Sequence, residues 1–110
     1  MPGRYNVYVF EDRSDFYVRP GVAMVSHEFD PEGVKVRNLT EYDVEVSLPV
    51  RLRGRRPLVT IPPDQVATIA LRRDADGIFD YKVEVIISTK PTLVKKPAKG
   101  NSFPKIIVDP

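Results

Sequence analysis

An alternating segment, DVEVSLPVRLR at residues 43–53, is the strongest pattern in the sequence. Its even-numbered positions are all apolar: Val44, Val46, Leu48, Val50 and Leu52. The odd-numbered positions are acidic, polar or basic, apart from Pro49. Alternation with a period of two predicts a strand with one buried face and one solvated face. Because Pro49 has no amide hydrogen for a ladder bond, we expect this strand to lie at a sheet edge or to bend there.

Short runs of β-branched and aromatic residues continue on both sides of this segment, separated by eleven prolines and six glycines in the chain. Runs spaced by about ten residues are typical of an all-β sandwich or barrel. The segment Asp30-Pro31-Glu32-Gly33 has the residue preferences of a type I turn, and Phe79 to Ile87 alternates as a second long strand. We therefore predict a single all-β domain over residues 1–110, a Greek-key β-sandwich of seven to eight strands. Residues 88–104, rich in proline and lysine, are expected to form an irregular loop.

Residues 62–73 fit two local structures. Two prolines near the start and two arginines at the end are compatible with a short helix. The β-branched residues between them favour a strand over Val66–Leu71. The strand is the main prediction and the helix is the alternative.

The composition excludes several classes of activity. The 110 residues include no cysteine and one histidine, which excludes disulfides, thiolate metal sites and cysteine nucleophiles and leaves little for a zinc site or a histidine-dependent triad. No apolar run approaches the roughly 20 residues that a membrane-spanning helix needs. We expect no enzymatic activity, no cofactor and no metal. The amino terminus has no apolar signal segment, so the compartment stays open between the cytoplasm and export with the leader removed.

Charge is distributed unevenly along the chain. Residues 1–50 contain five Lys and Arg against nine Asp and Glu, whereas residues 51–110 contain twelve against six. Such an arrangement suits electrostatically steered contact with a protein partner or head-to-tail association into a homo-oligomer. Two differently charged solvated surfaces are the alternative.

A basic segment at residues 51–56 is the candidate binding site. Its arginines could converge on one anion, because Gly54 permits a tight turn between them: Arg51, Arg53, Arg55 and Arg56. The anion could belong to an acidic protein partner or to nucleic acid, or the arginines could pair with Asp43 and Glu45 in a solvated loop. No aromatic row with interleaved basic residues accompanies the segment, which argues against stacking on single-stranded nucleic acid.

Two groups of acidic residues could bind a metal or act in catalysis, and we interpret both as structural. The segment Asp74–Asp80 resembles the start of a calcium loop, yet it lacks the distal glutamate and reads equally well as a turn between strands. Asp43 and Glu45 share one strand face, where we expect them to pair with Lys35, Arg37 or Lys82 rather than to act as an acid and a base.

Two further motifs receive structural interpretations as well. His27 near Met24 could bind adventitious copper, and we interpret it as an ordinary histidine. Asn38-Leu39-Thr40 is a glycosylation sequon that turn chemistry explains better.

Five segments together resemble the cupredoxins in their order and spacing: Phe16–Pro20, Gly33–Thr40, Val59–Pro63, Gly77–Tyr81 and Pro104–Val108. Members that carry electrons hold copper with two histidines, a cysteine and a weak methionine. Here Leu39 follows Asn38 where the first histidine would be, and Lys82 follows Tyr81 where the cysteine would be. The resemblance implies a copper-free relative that has kept the sandwich. We expect a binding or structural module for protein–protein contact or self-association, with binding of nucleic acid or another polyanion through residues 51–56 as the alternative.

Overall fold

The computed structural model describes residues 5–13, 15–49, 52, 58–89, 92–97 and 104–109. The elements with described bounds are eleven strands, which confirms the all-β class. In chain order they are β1 (Val7–Asp12), β2 (Asp15–Arg19), β3 (Val22–Ser26), β4 (Val34–Asn38), β5 (Asp43–Ser47), β6 (Leu58–Ile61), β7 (Val66–Ile69), β8 (Gly77–Asp80), β9 (Lys82–Thr89), β10 (Thr92–Pro97) and β11 (Lys105–Asp109).

These strands form three sheets with the orders β2-β1-β4-β7, β10-β9-β5-β6 and β3-β11-β8. The β1–β4 and β11–β3 pairs are parallel, and the other ladders are antiparallel. The strand count exceeds the predicted seven to eight. Two places in the chain supply strands that the prediction did not include.

The first is the alternating run from Phe79 to Ile87, which is divided between two sheets. β8 pairs with β11, whereas β9 pairs with β5 and β10. The break falls at Tyr81, whose amide donates to the Pro104 carbonyl at 3.0 Å. Alternation continues through the break, so that Phe79, Tyr81, Val83 and Val85 are all buried. One period-two pattern therefore supplies the core side of two sheets, which periodicity alone does not reveal.

The second is the stretch 88–104, where the expected irregular loop is wrong in part. β9 continues to Thr89, and β10 pairs with it in antiparallel register from Thr92↔Thr89 to Pro97↔Glu84. The β-branched and apolar residues around Thr92 are therefore part of a ladder despite the proline and lysine bias.

The segment 43–53 is shorter as a strand than predicted. β5 ends at Ser47 and lies between β9 and β6, so of the two expected alternatives, an edge position or a bend at Pro49, the edge position does not occur. The expected departure at Pro49 is confirmed, because the Leu52 amide donates to the Pro49 carbonyl at 2.9 Å in a turn. The apolar positions with described burial, Val44, Val46, Leu48 and Leu52, are all in the core.

Two other local predictions are confirmed. Residues Val66–Ile69 are β7, paired with β4, so the strand and not the helix is present. The turn at Asp30–Gly33 closes with a Gly33 amide to Asp30 carbonyl bond of 3.0 Å. Among the described residues, no helix is long and apolar enough to cross a membrane.

Candidate functional site

The four arginines proposed from the sequence, Arg51, Arg53, Arg55 and Arg56, lie outside the described residues. Within that segment only Leu52 is described, and its side chain is buried in the core. The candidate site lies instead on the β3-β11-β8 sheet, where the strand register brings together residues that are distant in the chain.

The solvent side of the β3-β11-β8 sheet carries a row of aliphatic side chains. Met24 is opposite Ile107 in the β3–β11 ladder, and Ile107 is opposite Ile78 in the β11–β8 ladder. Met24 is 63% exposed and Ile78 is 67% exposed, while Ile107 is half-buried between them. Val22, two residues before Met24 on the same side of β3, is 41% exposed. We call these four residues the apolar face.

The apolar face exists because these strands are apolar on both sides. Ala23 and Val25 of β3 point into the core, as do Ile106 and Val108 of β11. Alternation places Met24 and Ile107 on the opposite side. The inward row follows from ordinary core formation, but the outward row does not. Contiguous exposed apolar side chains on a protein surface mark interaction sites more often than isolated ones do.

A polar rim borders the apolar face. It consists of Lys105 and Asp80, which continue the row of Val22 across β11 and β8, next to Ile107 and Ile78. The Lys105 ammonium donates to an Asp80 carboxylate oxygen at the solvent side. An apolar centre with a charged rim is the usual composition of a protein-binding surface.

A buried polar network surrounds Asn38, at the end of β4. The Asn38 amide nitrogen lies 2.7 to 3.0 Å from the carbonyl oxygens of Tyr42, Ile61 and Pro62. Its amide oxygen accepts from the backbone amide and the hydroxyl of Thr40. Asn38 is fully buried, so its nitrogen is inaccessible to a glycosyl donor and the structural interpretation of the sequon is supported. The network joins β4 to the loops after β4 and β6.

Tyr81 presents the opposite situation. Its hydroxyl is buried and has no hydrogen-bond partner in the part of the chain that the structure describes. Burial raises the pKa of Tyr81 above its ordinary value, so the phenol stays neutral across the physiological range. Tyr81 also lines an open depression of about 380 Å³ together with residues 47–49, Asp80 and Lys82.

The metal interpretations find no support in the described residues. No group of three or more potential histidine or carboxylate ligands occurs there. The His27 Nε2 atom lies 2.8 Å from the Ala75 carbonyl oxygen, so it acts as a donor and is occupied. Arg72 donates two hydrogen bonds to Asp74, and this contact lowers the pKa of Asp74 below its usual value. The segment at Asp74 is a turn closed by the Ala75 amide and the Arg72 carbonyl at 3.1 Å.

The expected partners of the Asp43 and Glu45 carboxylates are engaged elsewhere. Lys35 pairs with Glu32 at 3.6 Å and Arg37 pairs with Asp64 at 2.6 Å. Lys82 pairs with Glu84 on its own strand at 3.6 Å. The register explains this result, since Lys35 and Arg37 are on β4, in a different sheet from β5.

No family model matches the chain, and no curated protein or solved structure matches it either. Function is therefore inferred from surface geometry and chemistry alone.

Proposed function

We propose that this protein is a non-enzymatic binding module that recognises another protein through the apolar face. The observation that carries the proposal is the unbroken row Met24, Ile107 and Ile78 across three hydrogen-bonded strands. Such a row has no hydrogen-bonding partners to offer a polar ligand. Its favourable interaction is removal from water by another apolar surface.

The magnitude fits a reversible complex. Fully burying an exposed methionine or isoleucine side chain contributes roughly 1.5–3 kcal/mol. Met24 and Ile78 are already about one-third covered, so their combined contribution is roughly 2–4 kcal/mol. Association costs at least several kcal/mol in lost freedom. The apolar face therefore supplies the centre of an interface, and the rim around Lys105 and Asp80 must add the remainder.

The size of the apolar face favours a different protein over a second copy. Three strands about 4.8 Å apart and five residues of about 3.3 Å give a footprint of roughly 240 Å². A stable interface buries about 800 Å² on each partner. A homodimer packed only on this face would be too small to persist. A partner that places one apolar strand or helix on the face and contacts the surrounding loops would reach the required area.

The finer fold assignment is part of the same proposal: a copper-free, cupredoxin-like Greek-key sandwich. The resembling segments support it, since Phe16–Arg19, Val59–Ile61 and Ile106–Val108 are in strands in the expected order. The absence of a cysteine in the sequence supports the copper-free part. The single histidine, occupied at Nε2 by a carbonyl, supports the absence of acid–base catalysis.

The proposal is tested with two charge-matched variants. Met24→Lys with Ile78→Lys places two ammonium groups on the apolar face. Leu58→Lys with Thr60→Lys places two on the outer side of β6, where Leu58 is 50% exposed. Each protein is immobilised, bound proteins from the source cells are identified, and the proteins whose recovery differs are purified and titrated against all three forms.

We expect at least one purified partner to bind the unmodified protein and the β6 variant with equal affinity and the apolar-face variant at least tenfold more weakly. Light scattering of the unmodified protein should give the monomer mass. A partner that binds both variants equally would overturn the assignment of the face. A dimer mass that only the Met24→Lys and Ile78→Lys variant abolishes would replace the partner with a second copy.

A further inference from the structure

A second surface, on the solvent side of the β2-β1-β4-β7 sheet, combines aromatic rings with cations. In the β1–β2 ladder, Tyr8 is opposite Arg19 and Phe10 is opposite Tyr17. In the parallel β1–β4 ladder, Tyr8 is also opposite Arg37. One row therefore reads arginine, tyrosine, arginine across three strands. With Tyr5, which precedes β1, these residues form what we call the aromatic face.

The rings and guanidinium groups of this face are in contact. The centroids of Phe10 and Tyr17 are 5.7 Å apart with planes inclined by 27°. Tyr5 and Tyr8 meet edge to face at 5.7 Å. The guanidinium carbon of Arg19 lies 5.7 Å from the Phe10 centroid, and that of Arg37 lies 5.9 Å from the Tyr5 centroid. All four rings are half-buried, so they are held in place while part of each surface meets solvent.

The cations concentrate on this face although they belong to the acidic half of the sequence. Of the five Lys and Arg in residues 1–50, Arg19, Lys35 and Arg37 point to this side of the sheet. Arg19 has no carboxylate partner among the described residues. Lys35 and Arg37 pair with Glu32 and Asp64, whose side chains are 72% and 80% exposed. Pairs this exposed contribute little and can exchange for another anion.

The acidic residues on the same sheet are separated from these cations. Asp12 and Asp15 are opposite each other at the far end of the β1–β2 hairpin. Electrostatics therefore directs an anionic chain along the row of Arg19, Tyr8 and Arg37, across the strands, and away from the hairpin end.

We infer that the aromatic face binds single-stranded nucleic acid without strong sequence preference. Planar rings on a sheet surface stack with unpaired bases, and adjacent arginines bind the phosphates between them. Every base has a flat face, so stacking alone distinguishes the bases weakly. The site is separate from the basic segment at 51–56 and from the apolar face, and the inference does not rest on the proposed protein-binding function.

Other ligands fit this surface less well. A neutral sugar could cover the rings but would give Arg19 no anion and Arg37 none besides Asp64. An aliphatic protein segment would also desolvate both arginines without pairing them, which is costly. A duplex keeps its base faces stacked internally, so it offers the phosphates only. Single strands combine exposed bases with phosphates and match both kinds of side chain.

The test uses a fluorescently labelled oligonucleotide of roughly 12 nucleotides, as DNA, as RNA of the same sequence, and as a DNA duplex. Binding is titrated between about 50 and 200 mM salt, where phosphate contacts show their salt dependence. The first variant, Arg19→Gln with Arg37→Gln, removes the charges and keeps the length of the stems. The second, Phe10→Leu with Tyr17→Leu, removes one ring pair. The control, Arg73→Gln with Lys82→Gln, removes two exposed cations elsewhere.

We expect both single strands to bind more tightly than the duplex. The arginine variant should weaken binding and reduce the salt slope by about 1.4, since each phosphate contact to a single strand contributes about 0.7. The ring variant should weaken binding about fivefold or more with the salt slope unchanged, because stacking is insensitive to salt. The control should bind as the unmodified protein does.

Four results would overturn the inference. Neither single strand binds at low salt, or the duplex binds more tightly than the single strands. Alternatively, the arginine variant and the control lose affinity equally, or affinity falls only in a variant with Arg53→Ala and Arg55→Ala. The last result would assign nucleic acid to residues 51–56. Thermal unfolding of each variant is measured alongside, and the arginine variant decides the test if the ring variant does not fold.

Discussion

The apolar face and the aromatic face both point to solvent, but their side chains interact with the fold in different ways. Met24 and Ile78 are mostly exposed, whereas Phe10 and Tyr17 stack on one another and are half-buried. The side chains of the apolar face contribute little to the stability of the fold and are open to a partner. The rings of the aromatic face pack within the fold and also expose surface on which a base can stack. Substitutions should therefore separate binding from stability on the apolar face and couple them on the aromatic face.

One residue at each end constrains β4, the strand beneath the aromatic face: Gly33 before it and Asn38 at its end. Substitution of Gly33 should have the largest effect on stability. Gly33 precedes β4 with φ +113°, and a Cβ there would lie 2.0 Å from the Ile69 carbonyl oxygen. Gly77, the first residue of β8 beneath the apolar face, has φ +100° and no atom within 4 Å of a Cβ. Gly33→Ala should cost about 4 kcal/mol or more, against roughly 1–3 kcal/mol for Gly77→Ala, because only Gly33 adds a backbone clash to the strain. Urea unfolding of both variants checks this, and equal losses would contradict it.

The second constraint is Asn38, at the end of β4. Asn38→Ala leaves the buried carbonyl of Ile61 and the part-buried carbonyls of Tyr42 and Pro62 without this donor and should cost roughly 3 kcal/mol. The comparison residue is Asn6, which is half-buried and accepts one bond from the Lys35 amide at 2.8 Å. Asn6→Ala should cost about 1 kcal/mol. The free energy of unfolding from denaturant titration gives both values. A smaller loss for Asn38→Ala than for Asn6→Ala would show that the network does not stabilise β4.

Tyr81 lies where the chain leaves the β3-β11-β8 sheet. Its substitution should raise the free energy of unfolding, in contrast to the substitutions above. Removing a buried hydroxyl that has no partner among the described residues should stabilise the protein, so Tyr81→Phe is expected to raise the free energy of unfolding by about 1 kcal/mol at neutral pH. A loss of similar size would mean that the hydroxyl is hydrogen-bonded in solution.

The same residue predicts a pH dependence. The folded pKa of Tyr81 is raised by burial, whereas the unfolded pKa is about 10. Below pH 10 both states are protonated and stability is unaffected. Above pH 10 the unfolded state loses the proton first, so stability should fall by up to about 1.4 kcal/mol per pH unit. In Tyr81→Phe, the free energy of unfolding should fall less steeply with pH between about pH 9 and pH 11, by the contribution of one proton. An unchanged slope would contradict the burial argument.

The smallest expected effect separates the two faces most clearly. Met24→Thr and Ile78→Thr should each change stability by less than about 0.5 kcal/mol, since both side chains are already exposed. Phe10→Leu should cost about 1 kcal/mol, because it removes the contacts with Tyr17 and Arg19. Equal losses on both faces, measured by the same denaturant titration, would remove the distinction drawn between them.

Periodicity predicted which residues are buried better than it predicted the strand arrangement. The alternation at Val44 and Val46 placed those side chains in the core, and the turn at Asp30–Gly33 has the predicted hydrogen bond. The same patterns did not show that β5 is central or that the run around Tyr81 serves two sheets, because strand order is set by long-range pairing. The pairing of β10 with β9 was missed because proline and lysine suggested a loop.

Neither surface face was predicted from the sequence, although each left a signal. From the sequence, Met24 was noted only as a neighbour of His27, and only the β11 register places it in one row with Ile107 and Ile78. Likewise, the sequence argued against an aromatic row because it was sought beside residues 51–56. Phe10 of β1 meets Arg19 of β2 only through cross-strand pairing, and the same pairing places Tyr8 opposite Arg19 and Arg37. Apolar residues at outward positions of an alternating strand are the signal that could have indicated both faces.

Site-specific photo-crosslinking is the most direct test of the protein-binding role of the apolar face. A photoreactive amino acid replaces Met24 in one protein and Thr60, on the outer side of β6, in another, and both are illuminated with the purified partner. The account predicts a crosslinked heterodimer from position 24 and none from position 60. Crosslinking from position 60 alone, or equally from both positions, would contradict it.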